Sequence, residues 1–520
     1  MRRLVGAATL CVALSACGST AQLSSTSEIG DGLGSGPTDS SLGGTSGSAT
    51  SGGSGSITTG GYGGSGSTTA GGGAGTTGTG GSAAGGPSSA PLPTQAAQGL
   101  GVTDKTISIG FGYSTDNEAA NAAIGGSAFT TGDGKANGKA LIDEINAHGG
   151  VAGRKLVPVF HAYNITSPSS GASQDEQACQ DWTRDHKVMA VISSNLTDTL
   201  VACLKQKGVI YFRGGAIVDT DQTYLRTYSN EVLTGTMTLD RIFRDQVQAL
   251  VRKRWFTGWN TLQGTPGTMP VKVGVLTYDT DSFTRTLRGV LLPALAAAGH
   301  APAEVDVLQV HKVQQQSDTA ATSAQIKSAV LRLQQDRVTH VVLGDTSGLL
   351  LEFFGSNARS QSYYPRLGVN SGAAVQAIYD AGLVDDQQVN GVVGNGWLPT
   401  IDLPASDANQ LANSETRRCL EIMKRRTGQT YTSVNAATIA LGDCDGMFLF
   451  QRAIGLATSL TPAGLLAGVE RLGDSFVSPL LGPTYLSPRQ HDTAVRAWDT
   501  TWVGSCTCIK YSVERRVPPA

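Results

Sequence analysis

The sequence predicts an α/β protein of two doubly wound parallel-sheet lobes, joined by a hinge of more than one strand and preceded by a flexible tether. Three observations carry that expectation. The strand-forming runs are rich in Val and Ile without alternation, as in strands covered on both faces. Amphipathic helical patterns separate them, and strand, helix, strand in succession makes a parallel sheet. The whole series runs twice, before and after about residue 230.

The first 98 residues stand apart from this series. Arg2 and Arg3 precede an apolar stretch from Leu4 to Leu14 that is too short to stay across a bilayer. It closes on Leu14-Ser15-Ala16-Cys17, where small residues suit an extended chain in a peptidase cleft. The pattern resembles a bacterial lipobox, with an ordinary secretory signal as the alternative. The resemblance implies a signal peptide over 1–16, thioether lipidation of Cys17, cleavage before it, and acylation of the new N-terminus. Several acyl chains, at about 0.8 kcal/mol per buried methylene, make a durable membrane anchor. Residues 17–98 are mostly Gly, Ser, Thr and Ala, with acids only at Glu28, Asp31 and Asp39 and no Lys or Arg. Such a segment buries too little apolar surface to offset its conformational entropy, so it is expected to be a disordered tether. Its mean reach is about 50 Å, from roughly 5–6 Å times the square root of its length.

The expected strands follow at Thr106–Gly112, Lys155–His161, Val188–Ser193, Val209–Phe212, Val271–Thr277, Val305–Val310, Val338–Gly344 and Gly391–Gly394. Helical patterns separate them. Lys135–His148 places Ala140, Leu141 and Ile145 on one face, turns Asp143 and Glu144 outward, and stops at Gly149-Gly150. Ser173–His186, Thr197–Lys207, Ser282–Ala298 and Thr322–Gln335 follow the same rule. Ser414–Thr427, Val434–Thr458 and Pro462–Arg471 read as three further helices, and Trp498–Val503 and Cys508–Val513 as terminal strands. The implied organisation is a first lobe over 104–230, a second over 231–398, a helical return over 399–485, and crossing strands over 486–515.

Six cysteines lie in the folded part, an even number that favours disulfides in an exported protein. Fifteen pairings are possible. The favoured set is Cys179–Cys203, Cys419–Cys444 and Cys506–Cys508, with the connectivity of the last four cysteines open. The first two loops are each worth about 3–4 kcal/mol in the chain-entropy model, and the third is a tight ring. A metal site is poorly supported, since the Cys506-x-Cys508 pair has no second such pair and only His491 nearby.

The run from Lys139 to Leu156, KALIDEINAHGGVAGRKL, resembles the first helix and second strand of type I periplasmic binding proteins. The nearest subfamily is the branched-chain amino-acid and amide-binding proteins of ATP-binding-cassette importers. The likeness extends over roughly 104–515, through Val188–Asn195, Gly208–Phe212, Val271–Asp279 and Val338–Asp345, and the Cys179–Cys203 spacing matches a first-lobe disulfide of that subfamily. It implies capture of a small polar ligand, amino-acid-like, amide or carboxylate, between two lobes. It also implies delivery to an ATP-binding-cassette permease by a monomer that needs no cofactor. A sensor for a membrane signalling partner is the alternative, because both devices work by closure.

Ligand positions are expected beyond the carboxyl ends of the strands. Ser193, Ser194 and Asn195 end a strand and open a helix, so they either hold the polar head of a ligand or only cap the helix. Gly214 and Gly215 offer bare amides or simply turn the chain. Tyr113 and Ser114 form the first loop. From the second lobe the matching positions are Asp279, Phe283, Asp345, Thr346, Asn370 and Ser371. Phe283 either covers an apolar tail or packs in the core, and Asp345 either pairs with the ligand or caps a turn. Members of the subfamily that take amino acids carry an acid near the Asn370-Ser371 position, and this sequence has none there, which weakens the case for a free α-amino acid.

Other classes find little support. Lys and Arg total 39 against 41 Asp and Glu, which leaves no basic footprint for nucleic acid. There is no Gly-x-Ser-x-Gly elbow, HExxH or Walker loop. His148-Gly149-Gly150 ends a helix instead of following a strand, and Asp143-Glu144 and Asp385-Asp386 read as solvated faces. No enzymatic activity is expected.

Overall fold

The chain divides into Met1–Ala84 and Gly85–Ala520. A computed structural model describes residues 99–117, 132–194, 197–214, 219–315, 317–407, 413–431 and 435–519. The signal segment, Cys17 and the tether lie outside these residues.

The first sheet holds five parallel strands: β1 (Thr106–Thr115), β2 (Lys155–Asn164), β3 (Ala190–Ser193), β4 (Ile210–Arg213) and β5 (Glu231–Leu233), in the order β2-β1-β3-β4-β5. Its two faces are covered separately, which is why the inner strands β3 and β4 are buried at every position. Along β3, Ala190 and Ile192 enter the main core while Val191 packs with Trp182, Leu200 and Tyr211 on the opposite face. The main-core face carries α1 (Gly134–Ala147), and the opposite face carries α2 (Gly171–Gln180) and α3 (Asp198–Gln206). Disulfide Cys179–Cys203 ties α2 to α3 with their Cα atoms 6.3 Å apart. The helical pattern through His186 is realised as α2 followed by a π turn over Asp181–Asp185, which sets Trp182 fully inside.

The second sheet has seven strands. Five are parallel: β6 (Val273–Tyr278), β7 (Asp306–Val310), β8 (His340–Gly344), β9 (Arg366–Asn370) and β10 (Val393–Gly396). The last two, β11 (Arg496–Val503) and β12 (Cys508–Arg516), are antiparallel additions, giving the order β12-β11-β10-β9-β8-β6-β7. The helix expected over Ser282–Ala298 is α6 (Asp281–Thr286), a π turn at Leu287–Leu291, and α7 (Leu292–Ala297). Pro293 explains the break, since it has no N–H to give and its ring clashes with the carbonyl one turn back. Helix α5 (Leu239–Arg252) was not read from the sequence, although Leu239, Ile242, Phe243, Val247 and Leu250 recur at helical spacing; its buried face also carries charges. Those charges are internal: Arg241 is 1% exposed and bonds Asp492 at 2.8 Å and the carbonyl of Val517 at 2.9 Å. Asp245 and Asp499 are likewise gripped by Arg515 and Arg252, which pins α5 against the two terminal strands.

The helical return packs back on the first sheet. Along α14 (Thr438–Leu456), a Cβ on Gly446 would lie 2.7 Å from Ile192, and Phe450 meets Phe212 edge-on at 6.0 Å. Helix α13 (Ser414–Thr427) lies beside α1 and is joined to α14 by Cys419–Cys444. Glu144 departs from its expected solvated position: its side chain is only 12% exposed and takes Arg425 and Arg426 of α13 at 2.6 and 2.8 Å. Asp385 departs too, since it accepts the Gln388 amide in a capping box at the start of a short helix.

Three chain segments cross between the lobes. The two at 234–238 and 491–495 are bonded to each other, through Gly235 N to Thr493 Oγ1 at 3.0 Å, Thr238 N to Asp492 Oδ2 at 2.7 Å and Ala494 N to the Thr236 carbonyl at 2.8 Å. The third leaves β10 through Trp397. There Ser371 Oγ accepts from Trp397 N at 2.7 Å and donates to Asp402 at 2.6 Å, and Tyr511 donates to the same carboxylate at 2.5 Å. Burial pushes Asp402 up to about 6 despite these bonds.

Candidate functional site

The carboxyl ends of the two sheets meet, which is where open parallel sheets receive ligands. Asp219 and Asp221, in the connection after β4, reach Lys312 beyond β7 and Arg285 on α6.

On the first lobe the expected residues converge. Tyr113, half-buried at the end of β1, stands edge-on to Phe160, and Lys135 Nζ lies 5.9 Å from both rings. Ser114 beside it is exposed. Strand β1 approaches β3 so closely that a Cβ on Gly112 would fall 1.9 Å from Ser193 Oγ. Ser193 is buried and works on the loop: its hydroxyl donates to the Ser194 carbonyl at 2.6 Å, and its carbonyl accepts from Gly214 N at 2.9 Å and Tyr211 Oη at 3.1 Å. Capping of α3 falls to Thr197, whose Oγ1 accepts from Thr199 N at 3.3 Å. Ser194 is therefore an exposed residue without that task. Gly214 has open space, the nearest atom to an added Cβ being the Gly442 carbonyl oxygen at 3.8 Å. Asn195 and Gly215 lie outside the described residues.

The second lobe presents its expected residues differently. Asp279 is exposed, 3.6 Å from His311 Nδ1. Phe283 is fully buried between Phe243 and Tyr278, at ring distances of 6.1 and 5.2 Å. Asp345 is buried and caps its own loop, accepting from Ser347 N at 2.9 Å and Leu351 N at 3.1 Å. Thr346 is 2% exposed and its Oγ1 has no partner. Asn370 caps Gly372 at 2.7 Å and Ser371 serves the hinge network, so both side chains are engaged within the second lobe and its crossings.

A charged cluster was not anticipated. Arg213, the last residue of β4, is 6% exposed and contacts Asp219 at 2.5 Å, Thr220 at 2.9 Å and Glu231 at 3.5 Å. Lys312 comes from the second lobe to the same Asp219 carboxylate. Burial acts to raise Asp219, yet Arg213 and Lys312 together hold it well below the usual carboxylate range. Glu231 goes the other way, pushed up to about 7 by burial because Arg213 only partly offsets the desolvation. The one available signal was a cation closing the apolar run Ile210–Phe212. Beside Gly214, Asn137 donates to Asp443 at 3.2 Å, and burial pushes Asp443 up to about 7.

The strand order, the triple crossing and the facing strand ends decide the architecture. The fold is that of the type I periplasmic binding proteins. The chain is similar to a possible leucine/isoleucine/valine-binding protein from Rhodopirellula baltica (TM-score 0.54, 15% identity, 79% of this chain and 96% of that one). It is similar to a solute-binding protein from R. palustris in complex with 4-hydroxybenzoate (0.56, 14%, 80% and 98%). It is also similar to a fatty acid transporter substrate-binding protein from Thermomonospora curvata (0.52, 18%, 83% and 99%). No family model and no curated protein matches the sequence. Among the described residues, no helix of this periplasmic-binding fold is long and apolar enough to cross a membrane, and no group of three or more His, Cys, Asp or Glu is gathered to hold a metal.

Proposed function

We propose that this chain is a lipid-anchored, extracytoplasmic solute-binding protein. It captures a small polar solute between its lobes and delivers it to an ATP-binding-cassette importer, without chemistry on the solute. The observation that carries this reading is the meeting of the two sheets' carboxyl ends across a hinge of three crossings. A solute touching both lobes binds the closed form better and shifts the population toward it. The permease then reads closure. Ser194, Tyr113, Ser114 and Gly214 supply the first-lobe contacts, with Asp279 and Thr346 opposite. Solved structures of this fold hold leucine in one case and 4-hydroxybenzoate in another, and these share a carboxylate. A carboxylate-bearing solute is therefore the first class to try.

Native mass spectrometry of the freshly purified protein, followed by thermal-shift screening of amino acids, aromatic acids and fatty acids, tests the reading. A co-purified small molecule or a bound acid that also contracts the particle in X-ray scattering supports it; a rigid particle indifferent to all of them refutes it. Cys17→Ser is expected to release the protein from membranes, and retention in the membrane fraction would refute the anchor.

A further inference from the structure

Two cations from opposite lobes converge on one carboxylate. Arg213 belongs to the first lobe and Lys312 to the second, their side chains are 7% and 13% exposed, and Asp219 lies between them at 19%. Desolvated cations brought this close repel unless an anion separates them, so closure at this point requires a negative group. The position is the carboxyl end of β4 facing that of β7, within the ligand region of such sheets.

We infer that Arg213 and Lys312 form a cradle for the carboxylate of the bound solute, and that Asp219 fills it as the chain's own stand-in when solute is absent. The inference rests on the solute-binding reading and names the chemistry of its ligand. Three features favour an exchangeable Asp219 over a permanent brace. Arg213 is also held by Glu231 and Thr220, so the first-lobe half of the cradle stays built when the Asp219 carboxylate turns away. The lobes have other ties, Arg241 to Asp492 at the crossings and Arg285 to Asp221 across the facing strand ends, and do not need this contact. Replacing Asp219 by a solute carboxylate exchanges one negative group for another, so the surroundings of Arg213, Lys312, Glu231 and Asp198 keep their charge.

Asp219→Ala exposes the empty cradle, and acetate and benzoate serve as probes. The variant is expected to melt lower and to show a wider scattering envelope than the parent. Sodium acetate or benzoate should restore both at roughly ten-fold lower concentration than sodium chloride, the size expected for one hydrogen bond to a charged group. Lys312→Met in the same background should abolish the difference between salts. If carboxylates and chloride act alike, or if the Lys312→Met double variant keeps the response, the cradle is refuted. Asp219→Asn, nearly the same in shape, gives the same reading should the alanine variant not fold. The assay needs no natural solute, so its failure leaves capture by other contacts standing. Conversely, a responsive variant of a parent that closes on no solute would count against solute binding instead.

Discussion

Asp445 offers a prediction whose size the structure sets. It lies on α14, one turn beyond the residue whose carbonyl faces Gly214, and is 0% exposed. Neither carboxylate oxygen has a hydrogen-bond partner. Burial pushes its pKa up to about 7, opposed only by the nearby Ser478 hydroxyl, which itself accepts from Leu480 N at 3.1 Å and Leu481 N at 3.0 Å. In the unfolded chain an Asp titrates near 3.9. Between about pH 4 and 7 the folded state therefore holds a proton that the unfolded state has released, and stability falls as pH rises. Three units at 1.36 kcal/mol each give about 4 kcal/mol, an upper bound because an ionised core relaxes and draws in water. Below pH 4 both states are protonated and the group's stability contribution is fully present. Asp445→Asn keeps the shape and removes the titration. The variant should resemble the parent near pH 4 and exceed it by about 2–4 kcal/mol at pH 8. Urea unfolding of both proteins at pH 4, 6 and 8 measures this. Parallel pH dependence in parent and variant would show that Asp445 does not carry a shifted proton, and the reasoning would fail.

Two further outcomes follow from the first-lobe geometry. Ser194→Trp should abolish solute binding in calorimetry with the melting temperature near that of the parent, because Ser194 is exposed; unchanged affinity would move the pocket elsewhere. Gly112→Ala should cost about 1–3 kcal/mol in urea unfolding, since its Cβ would sit 1.9 Å from Ser193 Oγ and the strands must part; an unaltered midpoint would mean that the Ser193 hydroxyl swings away freely.

The elements recovered from sequence were those with unbroken periodicity. Ser414–Thr427 is a helix over the bounds its pattern gave, and the three disulfides join the cysteines that lie near one another in the chain. Strand β5 has only three residues and begins with Glu231, too little for a pattern to show, and it belongs to the first sheet. Strand β9 contains Gly368 and starts at Arg366, a composition that depresses strand propensity until neighbours cover it. Helix α5 went unread although its apolar residues keep helical spacing; what its sequence could not show is that Arg241 and Asp245 are buried, since their partners Asp492 and Arg515 lie 251 and 270 positions away.

The same division holds at the site. Strand ends can be located in a sequence, so Ser193, Ser194, Gly214, Asp279 and Asp345 were placed at the correct edges of the sheets. A local pattern, however, carries no record of what a side chain meets. Only the tertiary structure turned Phe283 and Asp345 inward, gave Ser371 to the hinge and brought Lys312 to Asp219, 93 positions away. Backbone periodicity is set by neighbours within a few residues, and so it was legible. Charge pairing across the lobes is set by the closure of the whole chain, and so it was not.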